Sequence, residues 1–135
     1  MRRRLIYEGH LFRVDAIDFT DERHESGCPA VDFMASLDPS DQKTLTHLIS
    51  CHAEKGRVSN DRKSKELRNG IFEFKTDVGA RLLWFYPGER RLTILTHGMK
   101  KGEEEDPHID RAIRYRDAYL AAFPPPKQPG GKKRR

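Results

Sequence analysis

Five basic side chains in the second half of the sequence are of types that bind or cleave a phosphodiester. Lys75, Arg81 and His97 are followed closely by Lys100 and Lys101. Metal-free cleavage of RNA needs a group that moves protons and positive charge around the pentacovalent phosphorus. An imidazole titrates near neutral pH, and a guanidinium can hold a phosphate through two hydrogen bonds. His97 and Arg81 are therefore candidates for proton transfer and for phosphate binding.

Each of these residues also has an ordinary structural explanation. A single histidine at the end of a strand is more often structural than catalytic. Arg81 is expected to lie across the sheet from Glu73, where the two side chains would form an ion pair. Solvent-exposed Lys and Arg side chains explain a basic segment equally well. Both interpretations remain open on the sequence alone.

Three short strands are predicted to position these residues. They cover Ile71–Thr76, Arg81–Tyr86 and Leu92–His97, which are rich in aromatic and aliphatic residues. The connectors 77–80 and 87–90 have the length and the glycine content of hairpin turns. The segment therefore predicts a three-stranded antiparallel meander.

The meander predicts where the candidate side chains lie. Alternation along the third strand places His97 on the face that also carries Thr93 and Leu95. The start of the second strand lies opposite the end of the third in such a meander. Arg81 and His97 are therefore expected to be near neighbours.

The remaining segments predict one more strand and three helices. Residues 11–19 favour an outer strand that pairs with the meander, and Pro29–Leu37 has the apolar spacing of a short helix. A second helix is expected to begin with Asp38 as its N-cap and to stop at Gly56. Asp106 begins a last helix, which ends before three consecutive prolines. This order predicts an α+β fold in which the helices are segregated from an antiparallel sheet.

The chain divides into three parts by composition. Residues 1–10 are uncertain in structure, residues 11–123 are expected to form the α+β domain, and residues 124–135 read as a disordered basic tail. Residues 57–68 are polar and basic, and are interpreted as a connector between the second helix and the meander.

The positive charge is concentrated on the meander and its approach. The 135-residue chain has a net charge of +5, but residues 5–54 carry a net −7 and residues 55–101 a net +7. This is the pattern of a surface that binds a polyanion on an otherwise acidic body. No apolar run is long enough for a membrane span, and the N-terminal segment lacks the features of a secretory signal. Two cysteines favour a reduced, cytoplasmic protein.

Metal and nucleotide sites are not favoured. His24 with Cys28 and His47 with Cys51 repeat one spacing, and four such ligands can hold zinc. Neither pair forms a Cys-x-x-Cys motif, and the first pair falls in a predicted loop. No glycine-rich segment matches a phosphate-binding loop followed by a helix. We therefore predict that the protein uses no metal and no cofactor.

The motifs of the second half occur in a specific order: Lys65-x-Leu67-x-x-Gly70-Ile71-Phe72-Glu73-Phe74-Lys75, Arg81-Leu82-Leu83-Trp84-Phe85-Tyr86, Leu95-x-His97-Gly98-Met99-Lys100-Lys101, then Pro107 and Ile109. In order and spacing they resemble the phage-derived, HigB-like branch of the RelE toxin superfamily. The resemblance covers about residues 11 to 123.

This resemblance implies the toxin of a type II toxin–antitoxin pair. Such toxins are typically ribosome-associated endoribonucleases that cut messenger RNA without a metal, and an antitoxin, often a helix-turn-helix protein, neutralises them. By position the resemblance implies that Lys75, Arg81 and His97 are catalytic. Lys101 is expected to join them and to stabilise charge in the transition state. Four further residues are expected to bind the RNA backbone: Lys63, Lys65, Arg68 and Lys100.

The sequence also departs from the family pattern. Met99 replaces a phenylalanine, the pair Lys100-Lys101 is displaced by one position, and the acidic run Glu103–Glu105 replaces a polar or basic stretch. Two alternatives with the same fold therefore remain. One is a non-catalytic module that binds RNA or the ribosome, and the other is an inhibitor of DNA gyrase of the ParE type.

Overall fold

The computed structural model describes residues 1–20 and 27–126. The elements in chain order are β1 (Arg2–Glu8), β2 (Arg13–Asp18), α1 (Pro29–Ala35), α2 (Pro39–Lys55), β3 (Ser64–Arg68), β4 (Ile71–Lys75), β5 (Arg81–Phe85), β6 (Leu92–Met99) and α3 (Glu105–Ala122). The described strands form one six-stranded sheet in the order β1-β2-β6-β5-β4-β3. The α+β fold and the antiparallel meander β4-β5-β6 are confirmed.

The sheet is larger than the sequence predicts, and it is mixed. Residues 2–8 form the edge strand β1, and residues 64–68, which were expected to be part of a connector, form the other edge strand β3. The predicted outer strand β2 is internal and runs parallel to β6, with Arg13 opposite Leu92. Both edge strands are rich in charged residues, which protect a sheet edge but also resemble loop sequence.

Helices cover both faces of the sheet. Helices α1 and α2 pack on one face, where Leu45, Ile49 and Ala53 contact the core beneath Trp84. Helix α3 packs on the other face through a separate apolar cluster. The sheet is thus the middle of three layers, and the helices on its two apolar faces exclude water from both cores.

Local signals place the ends of α2 as predicted. The carboxylate of Asp38 accepts the backbone N–H of Asp41 at 3.0 Å, which satisfies one of the free donors of the first turn. At the other end Gly56 has a φ of +98°, a conformation that favours glycine and ends the helix. The predicted start and end of this helix are therefore confirmed.

A β-bulge near the end of β6 changes which way His97 points. Thr96 and His97 together lie opposite the single residue Leu83, so the register of β5 and β6 shifts there. The alternation of side chains between the two faces of the sheet therefore shifts by one residue. His97 lies on the same face as Met99, which is the face that α3 covers. The prediction that His97 shares a face with Leu95 is wrong, because a strict alternation cannot include a bulge.

Candidate functional site

A basic pocket lies at the end of the sheet where β4 ends, β5 begins and β6 leads into the following loop. Its volume is about 200 Å³. Four of the described residues that line it are basic: Lys75, Arg81, Lys100 and Lys101. We call these four residues and the space between them the basic pocket. The structure thus brings together three of the four predicted catalytic residues and one predicted RNA-binding residue.

Strand register positions the cations of the basic pocket. Lys75 lies directly opposite Arg81 in the last pair of β4 and β5, so their side chains leave the sheet on the same face. Arg81 is in turn opposite Met99, after which the chain leaves β6. The loop that follows β6 carries Lys100 and Lys101, and we call it the lysine loop. It passes close to Gly79, where an added Cβ would lie 3.0 Å from Cβ of Lys101. Gly79 also has a φ of +97°, so both its backbone and this close approach require glycine.

Arg81 is held between two carboxylates. Its Nε lies 3.5 Å from Oε1 of Glu73, and its Nη1 lies 3.3 Å from Oε2 of Glu105. Glu73 is 1% exposed, and burial raises its pKa while Arg81 opposes this effect. Neither oxygen of Glu73 has a hydrogen-bond partner among the described residues, so it is an ion-pair partner and not a hydrogen-bonding one. The ion pair between Arg81 and Glu73 is confirmed.

His97 shares a sheet face with Arg81 but does not line the basic pocket. It is 2% exposed, and its ring packs edge-on against Tyr115 of α3. Burial, reinforced by Arg111, lowers the pKa of His97 to about 3. Its Nε2 lies 3.1 Å from Nδ1 of His108, one helical turn from the point where Glu105 contacts Arg81. The ring is therefore neutral at physiological pH and is shielded by α3.

The other predicted RNA-binding residues lie outside the basic pocket. Lys63 forms an ion pair of 2.9 Å with Asp77, and this contact lowers the pKa of Asp77. Arg68 lies 2.9 Å from Asp110 of α3. Lys65 is exposed on the edge strand β3. Lys63 adjoins the basic pocket because Asp77 lines it, whereas Arg68 extends the basic surface along β3 towards α3.

The acidic run contacts the lysine loop and α3, which the sequence does not reveal. The carboxylate of Glu103 accepts the backbone N–H of Lys100 at 2.8 Å and faces Nε2 of His108 at 3.1 Å. The first of these contacts lowers the pKa of Glu103. His108, which contacts both His97 and Glu103, is not among the residues predicted from the sequence. The only sequence signal is its position in the first turns of a helix that directly follows the acidic run.

The residues considered for zinc are not gathered into one site in the described parts of the chain. His24 lies outside the described residues, and Cys28 is buried with a pKa that burial raises. Cys51 contacts His47 at 3.4 Å on α2. Residues 1–20 and 27–126 contain no group of three or more His, Cys, Asp or Glu placed to hold a metal ion. Within the same ranges, every helix is too short or too polar to traverse a lipid bilayer.

Comparison with protein families gives an assignment. The family model described as phage derived protein Gp49-like (DUF891) matches residues 32–116, which is more than half of the chain. The chain belongs to the Gp49-like family. This is a family of RelE-like, toxin-like proteins and is associated with the toxins of toxin–antitoxin pairs. No curated protein matches the chain.

The Gp49-like match contains the whole candidate site. Residues 32–116 include α2, the strands β3 to β6 and the first turns of α3. All four cations of the basic pocket, both carboxylates that contact Arg81, and the pair His97–His108 fall inside this range. The strands β1 and β2 lie outside the match and complete the sheet on the side away from the pocket.

Proposed function

We propose that this Gp49-like chain is the toxin of a type II toxin–antitoxin pair and that it cleaves messenger RNA at the ribosome without a metal. The observation that carries the proposal is the basic pocket, in which four cations meet at one end of the sheet. The toxin-like family and the resemblance to HigB-like sequences support the same conclusion. An antitoxin partner, expected to be a helix-turn-helix protein, follows from this proposal.

The pocket supplies the charge that RNA cleavage requires. The ribose 2′-oxygen attacks phosphorus and loses its proton to solvent, while the bond from phosphorus to the 5′-oxygen breaks. Arg81, oriented by buried Glu73, holds the phosphate, and the ammonium groups of Lys75 and Lys101 stabilise the added negative charge. These ammonium groups are also donors that can protonate the departing 5′-oxygen.

His97 has no direct contact with RNA in this proposal. Its ring is 2% exposed beneath α3, and its lowered pKa keeps it neutral near neutral pH, so it does not serve as a cationic acid for the departing oxygen. Transition-state stabilisation by positioned charges is commonly the largest single catalytic contribution, so cleavage does not depend on a histidine in the pocket. The RNA backbone would then be bound by Lys100 in the pocket. Three residues beyond the pocket would extend this binding: Lys63, Lys65 and Arg68.

Inducible expression with mapping of RNA 5′ ends tests the proposal. Expression of the wild-type chain should arrest growth and create new 5′ ends within messenger RNA. These new ends should be absent in each of three variants, Lys75→Ala, Arg81→Ala and Lys101→Ala. Circular dichroism should show that the fold of each variant is unchanged. Lys43→Ala removes an exposed lysine from α2, on the opposite face of the sheet, and is the matched control. Full toxicity in all three pocket variants would contradict the site.

A second candidate function has its own supporting observation. Arg81 is already engaged by Glu73 and Glu105, and His97 lies outside the pocket, an arrangement that suits RNA binding without cleavage. A non-catalytic module would bind RNA in a salt-sensitive way and create no new 5′ ends. DNA damage without loss of messenger RNA would instead indicate a gyrase inhibitor of the ParE type.

A further inference from the structure

A second cavity shares a wall with the basic pocket. It lies between the start of α2 and the lysine loop, and its volume is about 310 Å³. Val78, Lys100 and Lys101 line both spaces, so the turn between β4 and β5 and the lysine loop separate one from the other. A group bound in the second cavity would therefore lie directly beside a phosphate bound in the basic pocket.

The walls of the second cavity combine three kinds of surface. One wall is cationic, because it consists of the two lysines that the cavity shares with the basic pocket. The wall at the start of α2 carries the carboxylates of Asp38 and Asp41. The apolar lining residues are Leu37, Val78 and Ala80. Such a lining suits a flat ring with polar edges, because apolar side chains pack against the faces of the ring while the charged groups meet its edges.

The two carboxylates have different roles. Oδ1 of Asp38 accepts the backbone N–H of Asp41 at 3.0 Å as the N-cap of α2. The carboxylate of Asp41 is half-buried and has no hydrogen-bond or ion-pair partner among the described residues. Within the same part of the chain, neither carboxylate forms an ion pair with Lys100 or Lys101. Opposite charges thus line one cavity without neutralising each other, and both oxygens of Asp41 can accept hydrogen bonds from a ligand.

This distribution of charge selects the class of ligand. A second phosphate is disfavoured, because the carboxylates of Asp38 and Asp41 would repel it. A nucleobase is favoured, because proteins read single-stranded RNA through the donors and acceptors on the Watson–Crick edges of its bases. Among the four bases, guanine alone presents two adjacent donors, N1–H and N2–H, beside a carbonyl oxygen on that edge. A carboxylate can accept both N–H groups, and an ammonium group can donate to the carbonyl oxygen.

We propose that the second cavity is a nucleobase subsite, and that it selects guanine in the nucleotide next to the phosphate held in the basic pocket. Asp41 accepts the N1–H and N2–H groups of the base. The ammonium group of Lys100 has three donors, so it can contact O6 as well as the RNA backbone. The proposal rests on the proposed function and deepens it, because both concern one RNA strand in adjoining cavities.

RNA oligomers that differ at a single base test the subsite. Fluorescence anisotropy with the full-length chain would measure binding of a labelled uridine oligomer whose central residue is uridine, guanosine, inosine, adenosine or cytidine. The guanosine oligomer should bind about fivefold more tightly than the all-uridine one, at the low end for a bidentate contact because Asp41 is only half-buried. Inosine lacks the 2-amino group, so its oligomer should have an intermediate affinity. Equal affinities for all the oligomers would overturn the proposal.

The variant Asp41→Asn separates base recognition from general charge. Its amide has the size of the carboxylate but only one acceptor oxygen, so the preference for guanosine over inosine should disappear. Loss of the negative charge should at the same time raise the affinity for the all-uridine oligomer. A residue that only repelled RNA would change all affinities by the same factor, and an unchanged preference in this variant would therefore refute the role of Asp41. The matched control is Asp32→Asn, which removes an exposed acidic residue from the first turn of α1 and should retain the wild-type preference.

The outcomes separate the subsite from the cleavage reaction. If guanosine is preferred and the preference depends on Asp41, but expression creates no new 5′ ends, the subsite stands and the proposed cleavage fails. If new 5′ ends form without a base preference beside the cut, and Asp41→Asn leaves their positions unchanged, the subsite fails and the proposed function stands. If no oligomer binds even at low salt, both proposals fail.

Discussion

The salt dependence of RNA binding is the sharpest test of the basic pocket. For single strands, the logarithm of the affinity falls with the logarithm of salt by about 0.7 per phosphate that is neutralised. In addition to what Lys63, Lys65 and Arg68 contribute, four cations in the pocket contribute about −2.8 to the slope, and three contribute about −2.1. Between about 50 and about 200 mM salt, these contributions correspond to affinity losses of about 50-fold and about 20-fold. The difference depends on whether Arg81 contacts phosphate.

The double variant Lys100→Ala/Lys101→Ala removes two of the four charges from the loop. The contribution of the pocket to its slope should fall from about −2.8 to about −1.4 if Arg81 binds phosphate, and from about −2.1 to about −0.7 if Arg81 remains fully engaged by its carboxylates. Anisotropy titrations of a labelled single-stranded RNA at four or more salt concentrations would measure the change of about 1.4 that both cases share. Adding Arg81→Ala to the double variant should reduce the slope by about a further 0.7 only if Arg81 binds phosphate.

The control is again Lys43→Ala, which removes an exposed lysine on the opposite face of the sheet. Its slope should equal that of the wild type, because only cations that neutralise phosphates release counterions. A wild-type slope in the double variant, or an equal decrease in the control, would refute the pocket as the RNA site. In either case binding would come from diffuse charge over the whole segment.

Three further predictions concern stability. His52, with a pKa lowered to about 4 by burial, and His97 stay neutral in the native state but take up protons when unfolded, so stability is full above a pH of about 6.5 and decreases below it. The free energy of unfolding, measured with urea, should fall by about 3 kcal/mol between pH of about 7.5 and about 5.5. Gly98→Ala would place its Cβ 2.0 Å from the ring of Phe33 and should destabilise the fold by about 1–3 kcal/mol in the same assay. Asp38→Ala should lower the melting temperature, because losing the N-cap of α2 costs about 1 kcal/mol.

Elements with local signals were predictable from the sequence. The meander has apolar strands separated by glycine-containing turns, and α2 has Asp38 and Gly56 at its two ends. Each of these signals depends on a few neighbouring residues, so it can be recognised in the sequence without knowing the rest of the fold. The α+β class and the gathering of Lys75, Arg81 and Lys101 follow from them, because the register of a meander fixes which strand ends meet.

The missed features depend on contacts between distant residues. Strands β1 and β3 contain many charged residues, and only pairing with β2 and β4 makes them strands. The bulge in β6 places Gly98 against Phe33 of α1, where no side chain fits. That contact joins residues far apart in the chain, so no local signal indicates that His97 turns towards α3 and meets His108.

The acidic residues beside Arg81 do not prevent phosphate binding, because the two contacts differ in strength. Glu105 is 44% exposed and lies 3.3 Å from Arg81, and a surface pair of this kind contributes at most about 1 kcal/mol. A phosphate that meets Arg81 together with Lys75 and Lys101 can displace it. Glu73 is 1% exposed, so separating it from Arg81 would leave a carboxylate inside the protein without its cation, whereas Glu105 can turn to solvent when Arg81 leaves it. RNA should therefore exchange with Glu105 while Glu73 continues to orient the guanidinium, and the acidic run then limits affinity without closing the site.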